Sequence, residues 1–283
     1  MTSHPLTTKS RFPSKTVGPR TAQLLMELHE QGRTIFTVSD VQTITGLSPA
    51  SARSLVRHAI IRGIVSRLKS GLFVLVPPEL GWATEFTGDP HLIARELLAG
   101  ADYYISHASA MELHRMVTQP QLQIFVTTTK RLRNRTIHGI EFRFVSIRPE
   151  ALFGVTTHWV TRQAAVRVSD LERTVIDGLR RPHYCGGITE VAKGFWMRRS
   201  DIDPSRLIDY ALRLQVGAVI RRLGWLLEVY RLAPSHELER LRSTLTTTYV
   251  PLDPALSAEG PYLRRWRLRL NVSPEELEAI RST

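Results

Sequence analysis

The chain has 283 residues with 42% hydrophobic side chains, a formal net charge of +12 and a pI near 10.5. Length argues for two globular units, the apolar fraction argues against global disorder, and the charge points to a polyanionic partner. Cys185 is the only cysteine, which excludes an internal disulfide and a cysteine-cluster zinc site and fits a reducing cytosol. No run approaches the ~18 apolar residues of a membrane span, so a cytoplasmic protein without a membrane partner is expected.

Residues 1–19 read as a flexible basic tail carrying Lys9, Arg11 and Lys15. Residues 20–80 form the first expected domain. Arg20 to Gln31 is predicted helical, with Leu24, Leu25 and Leu28 on one face and Gly32 as its stop. A short helix from Ser39 to Thr45 follows, then a turn at Gly46-Leu47. Ser48-Pro49 is a helix start in which serine caps and proline occupies a position that needs no N–H. The helix from Pro49 to Arg62 turns Ala52, Leu55, Val56, Ala59 and Ile60 inward and leaves Ser51, Arg53, Ser54, Arg57 and His58 outside. Ile64–Leu68 and Leu72–Val76 flank Lys69-Ser70-Gly71 and read as a hairpin. This order predicts a winged helix-turn-helix.

A helix fits the major groove of DNA and its N-terminal residues reach base edges. Residues 1–82 hold ten Lys/Arg against four Asp/Glu, a net of +6. Ser48, Ser51, Arg53, Ser54 and Arg57 are therefore the expected base-reading end, and Arg62, Arg67 and Lys69 the expected phosphate contacts. The competing reading is a solvated arginine face or a protein-contact surface.

Pro77-Pro78 and Thr87-Gly88-Asp89-Pro90 mark a linker, and 89–283 is expected to be a mixed α/β domain with a helical C-terminal part, giving an α+β chain overall. Pro90 to Ala99 reads as a helix, and Asp102 to His114 leads into another. Leu122–Thr127 and Glu141–Val145 alternate like strands. The loop between them carries Lys130, Arg131, Arg133 and Arg135, which suits RNA, DNA, an acidic protein face or plain solvation. Ser169-Asp170-Leu171-Glu172 reads as a capping box opening a helix in which Arg173 and Asp177 lie one turn apart. Gly217–Leu232 is an apolar helix with Arg221, Arg222 and Arg231. Arg265, Arg267 and Arg269 alternate with Trp266, Leu268 and Leu270 as in a half-buried strand, and Ser273-Pro274 starts a last helix.

No metal, cofactor or catalytic residue is assigned. His107 and His114 lie seven apart without further ligands at a telling spacing, so they read as structural. Asp170, Glu172, Asp177, Glu190 and Lys193 would suit a nuclease only if they converged, and capping and pairing roles already account for most of them.

His107-Ala108-Ser109-Ala110-Met111-Glu112-Leu113-His114, Ser169 to Asp177, Arg181-Pro182, Gly186-Gly187-Ile188 and Arg222 to Glu228 resemble the AbiEi antitoxins of the abortive-infection AbiE systems. The resemblance covers nearly everything after the tail. It implies a type IV antitoxin that represses its own operon by binding inverted repeats in promoter DNA. Its C-terminal domain would oppose a nucleotidyltransferase-class toxin, directly or indirectly. Arg131, Arg133, Arg135, Arg173, Asp177 and Arg222 are the candidates for that antagonism. A metabolite-responsive transcription factor without a toxin partner is the alternative, and a neighbouring nucleotidyltransferase gene would separate the two.

Overall fold

The computed structural model describes residues 15–86, 88–98, 100–117 and 122–282 of a mixed α+β chain with three sheets. Residues group into two compact units: one up to Leu97 with Ile137–Gly139 and Trp159–Ala165, the other Leu98–Thr136, Ile140–His158 and Val166–Thr283. The expected division at 80 and 89 therefore shifts. The first unit keeps the helix that follows the linker, because that helix packs on its sheet.

The first unit runs α1 (Pro19–Glu30), β1 (Ile35–Thr37), α2 (Val38–Thr45), α3 (Pro49–Ile61), β2 (Val65–Lys69), β3 (Leu72–Leu75), a 3-10 turn Pro78–Leu80 and α4 (Pro90–Leu97). The three strands form an antiparallel sheet in the order β1-β3-β2. Leu24, Leu28, Phe36, Val41, Ala52, Val56, Ala59 and Phe73 fill its core, with the Phe36 and Phe73 rings 5.8 Å apart. Each helix starts where local chemistry demands. Thr37 and Asp40 form a reciprocal capping box for α2. Ser48 accepts from the Ser51 amide while Pro49 takes the first helical position of α3. Gly46 ends α2 at φ 68°, a left-handed conformation that glycine adopts without steric cost. β1 is an addition to the expected elements, since three residues are too few to show a strand period. Of the expected tail, residues 1–14 lie outside the described residues. Lys15 and Thr16 are tied down: Lys15 Nζ donates to the Ala83 carbonyl (3.0 Å) and the Arg62 guanidinium to that of Thr16 (3.2 Å).

The second unit contains β4 (Tyr103–Ile105), α5 (His107–Leu113), β5 (Gln123–Thr128), β6 (Arg135–Ile137), β7 (Ile140–Ser146), β8 (Val155–Trp159), β9 (Ala165–Ser169), α6 (Leu171–Arg180), α7 (Ile188–Met197), α8 (Pro204–Leu214), α9 (Gly217–Tyr230), α10 (Ser235–Arg242), β10 (Val250–Pro251), β11 (Tyr262–Leu263), β12 (Leu268–Arg269) and α11 (Pro274–Ala279). The six-stranded sheet is mixed, in the order β6-β7-β5-β4-β9-β8, with β5 parallel to β7 and antiparallel to β4. The helices beyond it enclose a core around Leu179, Phe195, Leu207, Leu223, Leu226 and Trp266.

Three expectations are corrected here. Asp102–Ile105 does not lead into a helix as a loop would: Tyr103-Tyr104-Ile105 is a strand, buried on both faces and therefore without alternation. The cap of α6 is Asp170 rather than Ser169. Asp170 Oδ1 accepts from the Arg173 amide (2.7 Å), whereas Ser169 Oγ turns to Thr174 and Glu172 is drawn to Arg206 and the Asp203 amide. The expected strand at 265–270 is broken, because Arg264–Trp266 forms a 3-10 turn and Arg267 sits at φ 52°, leaving only Leu268–Arg269 extended. Burial of Trp266 beneath α9 decides that shape.

Candidate nucleic-acid interface

Capping fixes where α3 begins, and the 3.6-residue period then sets which side chains leave its packed face. Ser48, Ser51, Arg53, Arg57 and His58 are exposed, while Ser54 is half-buried. Arg53 and Arg57 stand one turn apart on the same side. Across from them, Arg67 projects from β2, its guanidinium 5.9 Å from the centre of the Phe73 ring. These three arginines, with Ser70 and Gly71 at the hairpin tip, line one cleft of about 350 Å³ floored by Val38, Val56 and Phe73. No carboxylate lines it. Gly71 turns the tip at φ 76° with open space around it, so the hairpin end is sterically free to approach a neighbour.

The other sequence-predicted residues sit differently. Arg62 is half-buried and committed to the Thr16 carbonyl. Lys69 is half-buried and interacts within the protein. A residue that the sequence did not point to also enters: His138 Nε2 lies 2.7 Å from the Arg67 carbonyl and donates to it. Seventy-one residues separate the two, so no local pattern announces the contact. Asp40 holds the entry to α2. Burial pushes its carboxyl up, but the Arg33 ion pair at 3.0 Å and the Thr37 bonds prevail and keep it below the usual carboxylate range.

In the second unit, Arg131, Arg133 and Arg135 are exposed, and Asn134 anchors their loop by accepting from the Phe144 amide (3.2 Å). The remaining antagonism candidates are corrected by their burial. Arg173 is 0% exposed, Asp177 3% and Arg222 3%, so none offers a face to a partner. Arg173 Nε donates to Asp177 Oδ1 at 3.0 Å and Nη1 to the Ala151 carbonyl at 2.8 Å, and its guanidinium lies 4.4 Å from the centre of the Phe153 ring. Tyr104 donates to the other Asp177 oxygen at 2.9 Å. Arg222 has no carboxylate partner and donates instead to the Leu179 and Pro251 carbonyls at 2.6 and 2.9 Å. Burial pulls its pKa down to about 10. These are internal braces between elements distant in sequence.

The carboxylates that would make a nuclease centre are dispersed. Asp170 caps α6 and accepts from Tyr210, Glu172 pairs with Arg206, Asp177 with Arg173, and Glu190 with Lys193. Among the described residues, no group of three or more His, Cys, Asp and Glu side chains is placed to hold a metal ion.

His107 and His114 do not meet a common ligand either. His114 Nε2 donates to the Ser169 carbonyl at 2.5 Å. His107 is buried at φ 50°, its Nδ1 2.9 Å from Ser106 Oγ and its ring packed edge-on against Tyr184. Burial, reinforced by Arg181 and Arg173 against the opposing Asp177, pushes the His107 imidazole down to about 4. A histidine that resists protonation when folded takes up a proton on unfolding below its ordinary pKa. Its contribution is therefore whole above ~pH 6.5, falls as the pH drops towards about 4, and amounts to ~3 kcal/mol. Urea midpoints at pH 7 and pH 4.5 should differ more for the wild type than for His107→Asn, which keeps a side chain tolerant of left-handed backbone. Equal pH dependence in the two proteins would contradict this assignment.

No family model and no curated protein matches the sequence. Among solved structures, the crystal structure of the RV2827C protein from Mycobacterium tuberculosis matches with a TM-score of 0.67, covering 97% of this chain and 98% of that one at 17% identity. The two chains share a fold. At that identity the likeness carries architecture and nothing about what either protein binds. No helix of the described residues is long and apolar enough to cross a membrane.

Proposed function

We propose that this chain is a non-enzymatic, cytoplasmic antitoxin and autorepressor whose first unit is a winged helix-turn-helix for duplex DNA. The observation that carries the DNA reading is the convergence of Arg53, Arg57 and Arg67 on one carboxylate-free cleft between α3 and the β2–β3 hairpin. In this reading α3 enters the major groove N-terminus first. Ser48, Ser51 and Arg53 approach base edges, Arg57 follows one turn behind, and Arg67 takes a phosphate from the hairpin. His138, by holding the Arg67 carbonyl, keeps that strand in place. Promoter DNA with inverted repeats is the proposed target. The resemblance to the AbiEi antitoxins supports the second role, opposition to a nucleotidyltransferase-class toxin through the second unit, where exposed Arg131, Arg133 and Arg135 remain the candidate contacts.

Arg53→Ala should cost about 1–3 kcal/mol on the preferred duplex and relax the base preference at one position. Arg67→Ala should weaken all duplexes alike and lower the salt slope by about one. Titrations at several salt concentrations measure both, and wild-type behaviour in both variants would refute the interface. The antitoxin role is tested by co-expression with a nucleotidyltransferase encoded beside this chain. Growth should be rescued by the wild type and by the Arg53/Arg57/Arg67 triple-alanine chain. Failure of the wild type to rescue would sink the toxin-opposing role, leaving the DNA reading to its own experiment.

A further inference from the structure

The first unit has a second concavity, and it shares no lining residue with the arginine cleft. A cavity of about 460 Å³ opens among Leu25 of α1, Ile64 before β2, Leu75 and Val76 at the end of β3, and Val17 ahead of α1. Its wall is almost wholly apolar. Folded interiors are close-packed, and an unfilled apolar cavity of this size matches the volume range of small-molecule sites. Its polar lining is basic on balance. Lys15 spends one ammonium N–H on the Ala83 carbonyl and keeps two, His29 stands in the last turn of α1, and Glu79 is the one carboxylate present. An apolar body bearing one negative charge fits that lining better than a neutral hydrocarbon or a polyanion.

The walls also connect to the DNA-reading side. Gly63 and Ile64 directly follow α3, and Leu75 ends the strand whose first residue, Leu72, succeeds Gly71 of the arginine cleft. A molecule seated in the cavity therefore bears on the two elements that present Arg53, Arg57 and Arg67. We propose that this cavity is an effector site for a small aromatic or aliphatic monoanion, a carboxylate or sulfonate, whose binding shifts the affinity of the same unit for duplex DNA. The coupling half rests on the DNA reading above, whereas the binding half stands without it.

The probe is 8-anilinonaphthalene-1-sulfonate, titrated by fluorescence into the full chain. Saturable single-site binding is expected. Val17 is 46% exposed, so Val17→Trp fills the cavity mouth without disturbing the core. It should weaken probe binding by ~tenfold, and Lys15→Glu by ~threefold. Saturating probe should change duplex affinity by ~threefold or more in the wild type and leave it unchanged in Val17→Trp. Probe binding indifferent to Val17→Trp would overturn the site. So would sedimentation showing a wild-type dimer that excludes the probe, because a second copy would then be the occupant. Site-specific probe binding with unaltered duplex affinity would overturn the coupling. A chain that binds no duplex, yet loses the probe on Val17→Trp, would refute the DNA reading and uphold the cavity.

Discussion

Replacing Asp177 with alanine should destabilise the second unit by about 3–5 kcal/mol, enough to consume much of a typical domain's stability. The reason lies in what remains. Arg173 is 0% exposed and would keep its charge in the interior without its carboxylate, while Tyr104, also buried, would lose the acceptor of its hydroxyl. Arg173 Nη2 already has no hydrogen-bond partner, so the site has no spare acceptor to take up the loss. A pairwise test separates the charge from the packing. Arg173→Met with Asp177→Leu removes both charges, and should be markedly less damaging than Asp177→Ala alone. Denaturant midpoints decide it. A single Asp177→Ala chain as stable as wild type would mean that the buried pair does not hold α6 to the sheet.

Gly224→Ala should be comparably severe, for the opposite reason. A methyl group built at Gly224 would stand 2.1 Å from Cζ3 of Trp266, and two further ring atoms lie within 2.6 Å. Trp266 cannot swing aside cheaply: it is fully buried and its Nε1 donates to Glu228 Oε2 at 2.5 Å. Overpacking of that kind costs about 3 kcal/mol, at the upper end of its usual range. Gly224→Ala combined with Trp266→Phe, which trims the ring, should recover part of the loss. If the double variant is no better than the single, the helix rather than the ring contact sets the glycine requirement. In that case the cost should fall to the small helix-propensity difference, which favours alanine.

Much of the first unit is legible in its residues because its signals are local. Ser48-Pro49 marks the start of α3, Gly46 and Gly71 mark turns, and the apolar spacing of Ala52, Val56 and Ala59 sets the inward face. The exposed set of Ser51, Arg53 and Arg57 follows from that spacing alone. The second unit defeats the same approach at Tyr103–Ile105, where a strand buried on both faces has no alternation to read. It defeats it again at Arg265–Leu270, where an alternating pattern is present but the backbone turns left-handed at Arg267. In the helix from Leu171 to Arg180, charged residues suggested a wet face. Eight consecutive positions, Glu172 to Leu179, are nonetheless buried.

Composition and local periodicity thus determined that this is a basic chain of mixed architecture, where most of its helices begin, and which arginines leave the packed face of α3. Burial of Arg173, Asp177 and Arg222, the bracing of Arg67 by His138, and the cavity behind α1 were decided only in three dimensions. Each joins or is walled by groups far apart in the chain, and desolvation and pairing depend on what surrounds a residue in space rather than on its neighbours in sequence.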